Sequence, residues 1–429
     1  MSTIAVMTSP AKGHLYPLVD TLIKLRSRGH SIVVKTLSSE TQTLEDLGFT
    51  AIPLSDTLND AQLDDWQATN SIGALNAVLR QLVSRMPHDF RELTSLIAET
   101  QPDMVMVDFT TFGGQIAAEA SGLPWALWSP TFLPLNLPDD PPFGMGLKRS
   151  TGTTGALRDK ALRRVLTHLW DRFSIRDVNA LRTTHGLEPL RHTTDLLQRP
   201  PAIINFTAEP LEYPRKQWPD NVHLVGPGTW SPPVSDSDVL RDVTDPIALV
   251  TCSTEFQDDA ELGQVAIDAL EGTGLHTVVT TGALDPLTFR PKSQATVVDF
   301  LSHDAILDRC AVVICHGGMG ITQKALVKGI PIVVVPFGRD QREVAERVRH
   351  CRAGEVLSPT KLTASALHSK VTAAMALKSR TAAVARQLAH AGGAARAADI
   401  IESQLAHRAT SRTTSQRASQ TTAVQAVIS

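Results

Sequence analysis

The chain has 429 residues, with 41 Lys and Arg against 44 Asp and Glu, a formal net charge of −3, and 42% hydrophobic residues. That length exceeds one ordinary domain and suits two, and the balanced charge gives no electrostatic case for nucleic acid. No run approaches the roughly 18 apolar residues of a membrane span, so no transmembrane segment is expected.

The opening MSTIAVMTSPAKGH has no basic segment followed by a long apolar one, so no secretory signal is expected either. Thr3 to Thr8 reads as a buried parallel strand. The loop SPAKGHLYP follows, and Leu15, Leu18, Leu22 and Leu25 then share one helical face. Arg26 and Arg28 in the last turn and Gly29 beyond it mark the helix end. His30 to Thr36 supply a second strand, and Met104 to Val107 form another apolar run that ends at Asp108. Further strands are read at 201–207 and 222–226. The stretch PGTWSPPVSDSDVLRDVTDP (227–246) has the composition of a linker.

The second half begins with a strand at 247–253 and continues with strands at 276–282, 295–301, 311–314 and the run after Pro331. Ala364 to Ala406 reads as helical, and residues 408–429, rich in Ser, Thr and Gln, read as disordered. Strands alternating with helices call for parallel, doubly wound sheets. The expected fold is therefore α/β, with two Rossmann-like domains at 1–226 and 247–384 and a closing helix at 385–407. The four cysteines, Cys252, Cys310, Cys315 and Cys351, lack CxxC spacing. Neither a disulfide scaffold nor a zinc site is expected, and a reducing cytoplasm fits. Cys315 reads as a small buried strand residue.

Residues 316 to 341, HGGMGITQKALVKGIPIVVVPFGRDQ, are the most informative run. A strand ends in His316-Gly317-Gly318, a helix runs from about Met319 to Gly329, and Asp340-Gln341 stand at the end of the next strand. The glycines let backbone come close to a ligand. The helix start offers N–H groups and a positive dipole end to an anion such as a diphosphate, and His316 adds a further donor. A carboxylate and an amide at a strand tip suit sugar hydroxyls. Together they describe a nucleotide-sugar site.

This ordered set resembles the donor signature of family 1 glycosyltransferases, the UDP-glycosyltransferase superfamily, in its bacterial small-molecule form. The segment GHLYPLVDTLIKLRSRGHSIVVKT resembles that family's first βαβ unit. The resemblance implies a GT-B fold, with two domains facing across a cleft and a last helix that crosses back to the first domain. It also implies an inverting transfer in which His14 is the general base, oriented by Asp108 at its strand end. Ser253, Thr254, His316, Gly317, Gly318, Gly320, Thr322, Asp340 and Gln341 become the donor-binding set, and residues 300–303 the nucleobase wall.

The nucleotide-sugar is a co-substrate, so no cofactor is expected. No metal is expected either, because no Asp-x-Asp stands near the signature and the family relies on the helix dipole and histidine. The acceptor walls fall at 56–100 and 131–200, with Trp66, Leu79, Met86, Phe132 and Phe143, and Phe132 and Phe143 are the expected acceptor contacts. Such walls suit an apolar aglycone: polyketide, macrolide, phenolic, sterol or lipid.

Three positions depart from the family pattern. Lys324 stands where many members hold the ribose with a glutamate, Ile321 where many carry a hydroxyl, and Val344 where plant members carry asparagine. The donor therefore stays open between a UDP- and a dTDP-sugar. A lipid or sterol glycosyltransferase and a catalytically idle nucleotide-sugar-binding protein are the alternative functions. A dinucleotide oxidoreductase lacks its GxGxxG after the first strand. Oligomeric state is not legible in the sequence.

Overall fold

The protein is described by a computed structural model that covers residues 1–60, 71–135, 137, 140–150, 152–233, 238–253 and 260–406. Thr254, Trp66 and the tail at 408–429 lie outside the described residues. The first half contributes β1 (Thr3–Met7), β2 (Ser31–Thr36), β3 (Thr50–Pro53), β4 (Met104–Asp108), β5 (Trp125–Ser129), β6 (Ile203–Asn205) and β7 (Val222–Leu224). They form one sheet in the order β3-β2-β1-β4-β5-β6-β7, every pair parallel.

Its helices are α1 (Lys12–Ser27), α2 (Thr41–Asp46), α3 (Asp56–Asn59), α4 (Ser71–Thr100), α5 (Phe112–Ala120) and α6 (Thr153–Thr184). Covered on both faces, β4 and β5 are buried along their whole length, as their unbroken apolar runs require. The leucine stripe of α1 (Leu15, Leu18, Leu22, Leu25) packs with Ile4 and Val6 of β1 and Trp128 of β5.

The second half contributes β8 (Ile247–Thr251), β9 (His276–Thr280), β10 (Ala295–Val298), β11 (Cys310–Cys315), β12 (Ile332–Val334) and β13 (Gly354–Val356). These pair in parallel in the order β10-β9-β8-β11-β12-β13. The helices are α7 (Ala260–Leu270), α8 (His303–Leu307), α9 (Met319–Val327), α10 (Gln341–Cys351), α11 (Ala364–Met375) and α12 (Lys378–Ala389).

In each sheet the strand order reverses once, between β1 and β4 and between β8 and β11. A parallel sheet opens a crevice beyond its carboxyl ends at such a reversal, and ligands bind there. His14 and Asp108 follow or end the two strands at the first reversal, and Ser253 and His316 follow the two at the second. Topology thus brings distant residues to two strand-end crevices.

The halves share an apolar boundary. Phe132, Ala208, Leu211 and Leu240 pack in one cluster with Ile321, Val344 and Val348. Val344 is accordingly a core residue rather than a ligand position. Among the described residues α12 ends at Ala389, and a further helix spans 393–406. Its Ala397, Ala398, Ile400 and Ile401 pack on the first-half core with Ile4 and Leu22. Arg28 fixes it by pairing with Asp399 at 2.8 Å and Glu402 at 2.6 Å.

Candidate active site

His14 lies in the first turn of α1, just beyond β1, and Asp108 is the last residue of the neighbouring β4. His14 Nδ1 and Asp108 Oδ2 are 2.8 Å apart, with 24% of the histidine side chain exposed and none of the aspartate. Thr110 donates to the other carboxylate oxygen twice, from its backbone N–H at 2.8 Å and its hydroxyl at 2.6 Å. The Phe109 ring stacks on the imidazole with centroids 5.8 Å apart, and the Trp128 indole N–H donates to the His14 carbonyl at 3.3 Å. Ring and carboxylate are therefore held in one orientation.

Burial opposes charge on His14, but the Asp108 charge and hydrogen bond outweigh it and raise the imidazole above the ordinary histidine value of 6.5. Burial likewise opposes charge on Asp108, and the facing His14 and the Thr110 donors bring the carboxyl below its ordinary 3.8. The His14 contribution to stability is full below pH 6.5 and is lost as pH rises through its raised folded value. The Asp108 contribution is present above pH 3.8 and is lost as pH falls through its depressed folded value.

With the carboxylate ionised, Nδ1 carries the proton and donates to it, leaving the Nε2 lone pair to accept another.

Asp340 connects this pair to the second half. It stands at the N-cap position of α10 without a side-chain capping bond, and its Oδ2 accepts from the Thr131 hydroxyl at 2.6 Å. Its charge also acts on His14. The neighbouring Gln341 is buried, and its Oε1 accepts from the N–H groups of Phe337 at 2.7 Å and Gly338 at 2.9 Å, closing the loop after β12. Gln341 backs onto Gly317, whose φ of +101° belongs to the left-handed region. A Cβ at Gly317 would stand 3.0 Å from Val334 and 3.2 Å from Gln341, so a side chain is excluded on both counts.

At Gly318, the N-cap of α9, a Cβ would lie 2.7 Å from His316 Nε2. The imidazole edge therefore covers the helix start. Backbone N–H groups of Met319, Gly320 and Ile321 belong to the first turn, where the helix itself supplies no acceptor. Gly320 is exposed and has no atom within 4 Å of an added Cβ. The arrangement is a donor-lined seat at a positive dipole end.

A family model for the erythromycin biosynthesis protein CIII-like C-terminal domain matches residues 278–406. The 4'-demethylrebeccamycin synthase of Lentzea aerocolonigenes is 27% identical over 87% of this chain and 91% of its own. The zeaxanthin glucosyltransferase of Pseudescherichia vulneris is 27% identical over 95% of this chain and 98% of its own. The solved calicheamicin glycosyltransferase CalG4 shares the fold, with a TM-score of 0.71 at 20% identity over 95% of this chain and 98% of its own. The glycosyltransferase VinC, solved in complex with dTDP, gives a TM-score of 0.70 at 21% identity over 94% of this chain and 100% of its own.

The chain is a glycosyltransferase, similar over nearly its whole length to glycosyltransferases of natural-product biosynthesis.

In this glycosyltransferase several residues sit elsewhere than the sequence led one to expect. Thr322 is fully buried, its hydroxyl turns to Cys315 Sγ at 3.8 Å, and its N–H bonds the Gly318 carbonyl at 3.2 Å. It has nothing left to offer a donor phosphate. Ile321 belongs to the boundary core. Cys315 is buried, and that burial pushes its thiol up to about 11, so it remains a neutral strand residue.

Phe132 is no acceptor wall either. It is fully buried, and the Arg347 guanidinium lies 4.0 Å above its ring. Phe143 packs half-buried against the same cluster. Both fill the boundary between the halves because α10 offers them an apolar face and a cation. Leu79 and Met86 are buried on α4.

Ser253 is buried beyond β8, and its carbonyl accepts from the Ala283 N–H at 3.1 Å. Phe300 is exposed, whereas His303 bonds the Thr280 hydroxyl at 3.2 Å and is pushed down to about 4, first by burial and then by Lys324. Lys324 is not solvated. Its ammonium is 3.4 Å from Asp304, donates to Ser231 in the connection between the halves, and feels the charge of Asp20 on α1. Burial lowers its proton affinity. Lys324 therefore ties α9 to α8 and to the inter-domain connection.

A groove of about 580 Å³ between α6 and residues 191–198 is lined by Lys160, Arg163, Arg164 and Arg191 and shares no residue with the site.

Proposed function

We propose that this glycosyltransferase moves a hexose or deoxyhexose from a UDP- or dTDP-sugar to a hydroxyl of an apolar small molecule, with inversion. The observation that carries the reading is the oriented His14 and Asp108 pair, acted on by the charge of Asp340 from the second half, whose α9 start offers first-turn N–H donors. The name of the zeaxanthin relative and the dTDP in the VinC structure support this donor and acceptor chemistry.

In this scheme His14 Nε2 takes the acceptor hydroxyl proton and Asp108 stabilises the imidazolium. The acceptor oxygen attacks the anomeric carbon from the side opposite the nucleotide. The carbon–oxygen bond to the diphosphate breaks as the new one forms, and a single displacement inverts the centre. His316 and the N–H groups of Met319 and Gly320 stabilise the departing diphosphate without a metal. Asp340 and the Gln341 amide hold sugar hydroxyls.

Activity then needs neutral His14. The acid limb of kcat/KM is expected above pH 6.5, because Asp108 raises the imidazole. Asp108→Asn should move that limb to lower pH while cutting the rate. An unmoved limb across a pH series would count against the pairing as the source of the profile.

The donor seat is tested by calorimetric titration with UDP and dTDP in chelator. Wild type should bind at least one of them. Gly318→Val, whose Cβ meets His316 Nε2 at 2.7 Å, should weaken binding by about tenfold or more, on the order of 1.4 kcal/mol. No binding of either nucleotide to wild type, or full affinity in the variant, would overturn the assignment of this seat.

A further inference from the structure

Behind the His14 and Asp108 pair lies a buried ion pair on α4 that no sequence motif marks. Arg85 is 8% exposed and Asp89 is fully buried. The guanidinium makes three contacts with three different segments. Nη1 donates to the Ser9 hydroxyl at 3.2 Å, in the loop between β1 and His14. Nη2 donates to the Thr110 carbonyl at 3.0 Å, and Thr110 is the residue that grips Asp108. Nε lies 3.4 Å from each Asp89 carboxylate oxygen.

The helix bearing Arg85 is itself held firmly. A Cβ on Gly113 of α5 would come within 1.8 Å of the Met86 carbonyl, so the two helices approach as closely as backbone allows.

We propose that Arg85 is a positioning residue of the reaction: its fork fastens the His14 loop to the Asp108 loop and places a positive charge behind the imidazole. The inference rests on the reading of His14 as the base. An Arg fork is suited to it, since planar donors in fixed directions can hold two loops at once, whereas a lysine offers one point charge. A sub-ångström error between base and acceptor is costly in rate.

The charge has a second consequence. Arg85 opposes protonation of His14, against Asp108 from β4 and Asp340 from α10, which favour it. Asp89 neutralises Arg85 only in part, since burial raises its carboxyl to about 7 despite the facing guanidinium. Glu92 stands further along α4 and is paired to Lys35 of β2 at 2.6 Å.

The test compares Arg85→Lys with the double variant Arg85→Met, Asp89→Leu, which replaces the ion pair by apolar side chains and leaves no lone buried charge. His14 is followed by NMR titration of its ring, and kcat and donor affinity are measured beside it. The double variant should keep donor affinity, lose about 10²-fold in kcat, and titrate His14 at higher pH. Arg85→Lys should return the His14 midpoint towards wild type while recovering only part of the rate. Wild-type kcat with an unmoved midpoint would overturn the proposal. So would parallel losses of melting temperature, donor affinity and rate with the midpoint unmoved, because Arg85 would then serve folding alone. If His14→Ala keeps full turnover, the base assignment fails, while the NMR midpoint still reports whether Arg85 sets the imidazole.

Discussion

His14→Ala is expected to lower kcat by about 10²–10⁴-fold while nucleotide-sugar affinity stays near wild type. The separation follows from where the two groups sit. His14 belongs to the strand-end crevice of the first sheet, and the seat formed by His316, Gly317, Gly318 and the start of α9 belongs to the second. Removing the imidazole leaves Asp108 gripped by Thr110 and leaves the donor seat untouched. Single-turnover rates beside calorimetric affinities check this. A variant that turns over normally but has lost donor affinity would remove His14 from the chemistry and place it in binding.

Arg347→Met is expected to cost about 3–5 kcal/mol of stability, the usual penalty for stripping one partner from a buried ion pair. Arg347 is 4% exposed and lies between Glu212 of the first half, 2.9 Å from Nε, and Glu343 of α10, 2.8 Å from Nη1. The rings of Phe132 and Tyr213 face it at 4.0 Å and 4.4 Å. Met would fill much of the volume but leave two carboxylates without their cation. Glu343 also accepts from the Gly144 N–H at 3.0 Å and the Gly146 N–H at 2.9 Å, so the loop around Phe143 should loosen from α10. Thermal unfolding is the check, and Glu212→Gln added to Arg347→Met should restore part of the loss. A melting temperature equal to wild type would show that the triad is dispensable.

What the sequence made legible is what lies in single short segments. Both apolar strands flanking His316, the glycine pair, the helix from Met319 and the Asp340-Gln341 step could be read because a strand end, a turn and a helix start each leave a local mark. The Gly-His loop and Asp108 are 94 residues apart, and only parallel pairing of β1 with β4 brings them to 2.8 Å.

The rest depended on what packs against what. Phe132 and Phe143 look like ligand walls in a loop, and it takes α10 to turn them inward. Thr322 looks like a phosphate contact, but the helical turn points it at Cys315. Strand β5, with the short run WALWS, is not among the strands that the sequence predicts, and α4 hides Arg85 among ordinary helical charges. Glu343 and Arg347 show the i,i+4 spacing of a common surface pair, so nothing local announces their burial. Lys324 shows in the sequence only as a departure from the family pattern, and the neighbouring Asp304 and Ser231 reveal it as a tie.

The most direct test of the account is product mass. Purified protein is incubated with UDP-glucose, UDP-galactose, dTDP-glucose and dTDP-rhamnose beside phenolic and macrolide acceptors, with and without chelator. The account predicts acceptor mass raised by one hexose or deoxyhexose, unchanged by chelator and lost in His14→Ala. A product formed equally by His14→Ala, or formed only when chelator is left out, would contradict it.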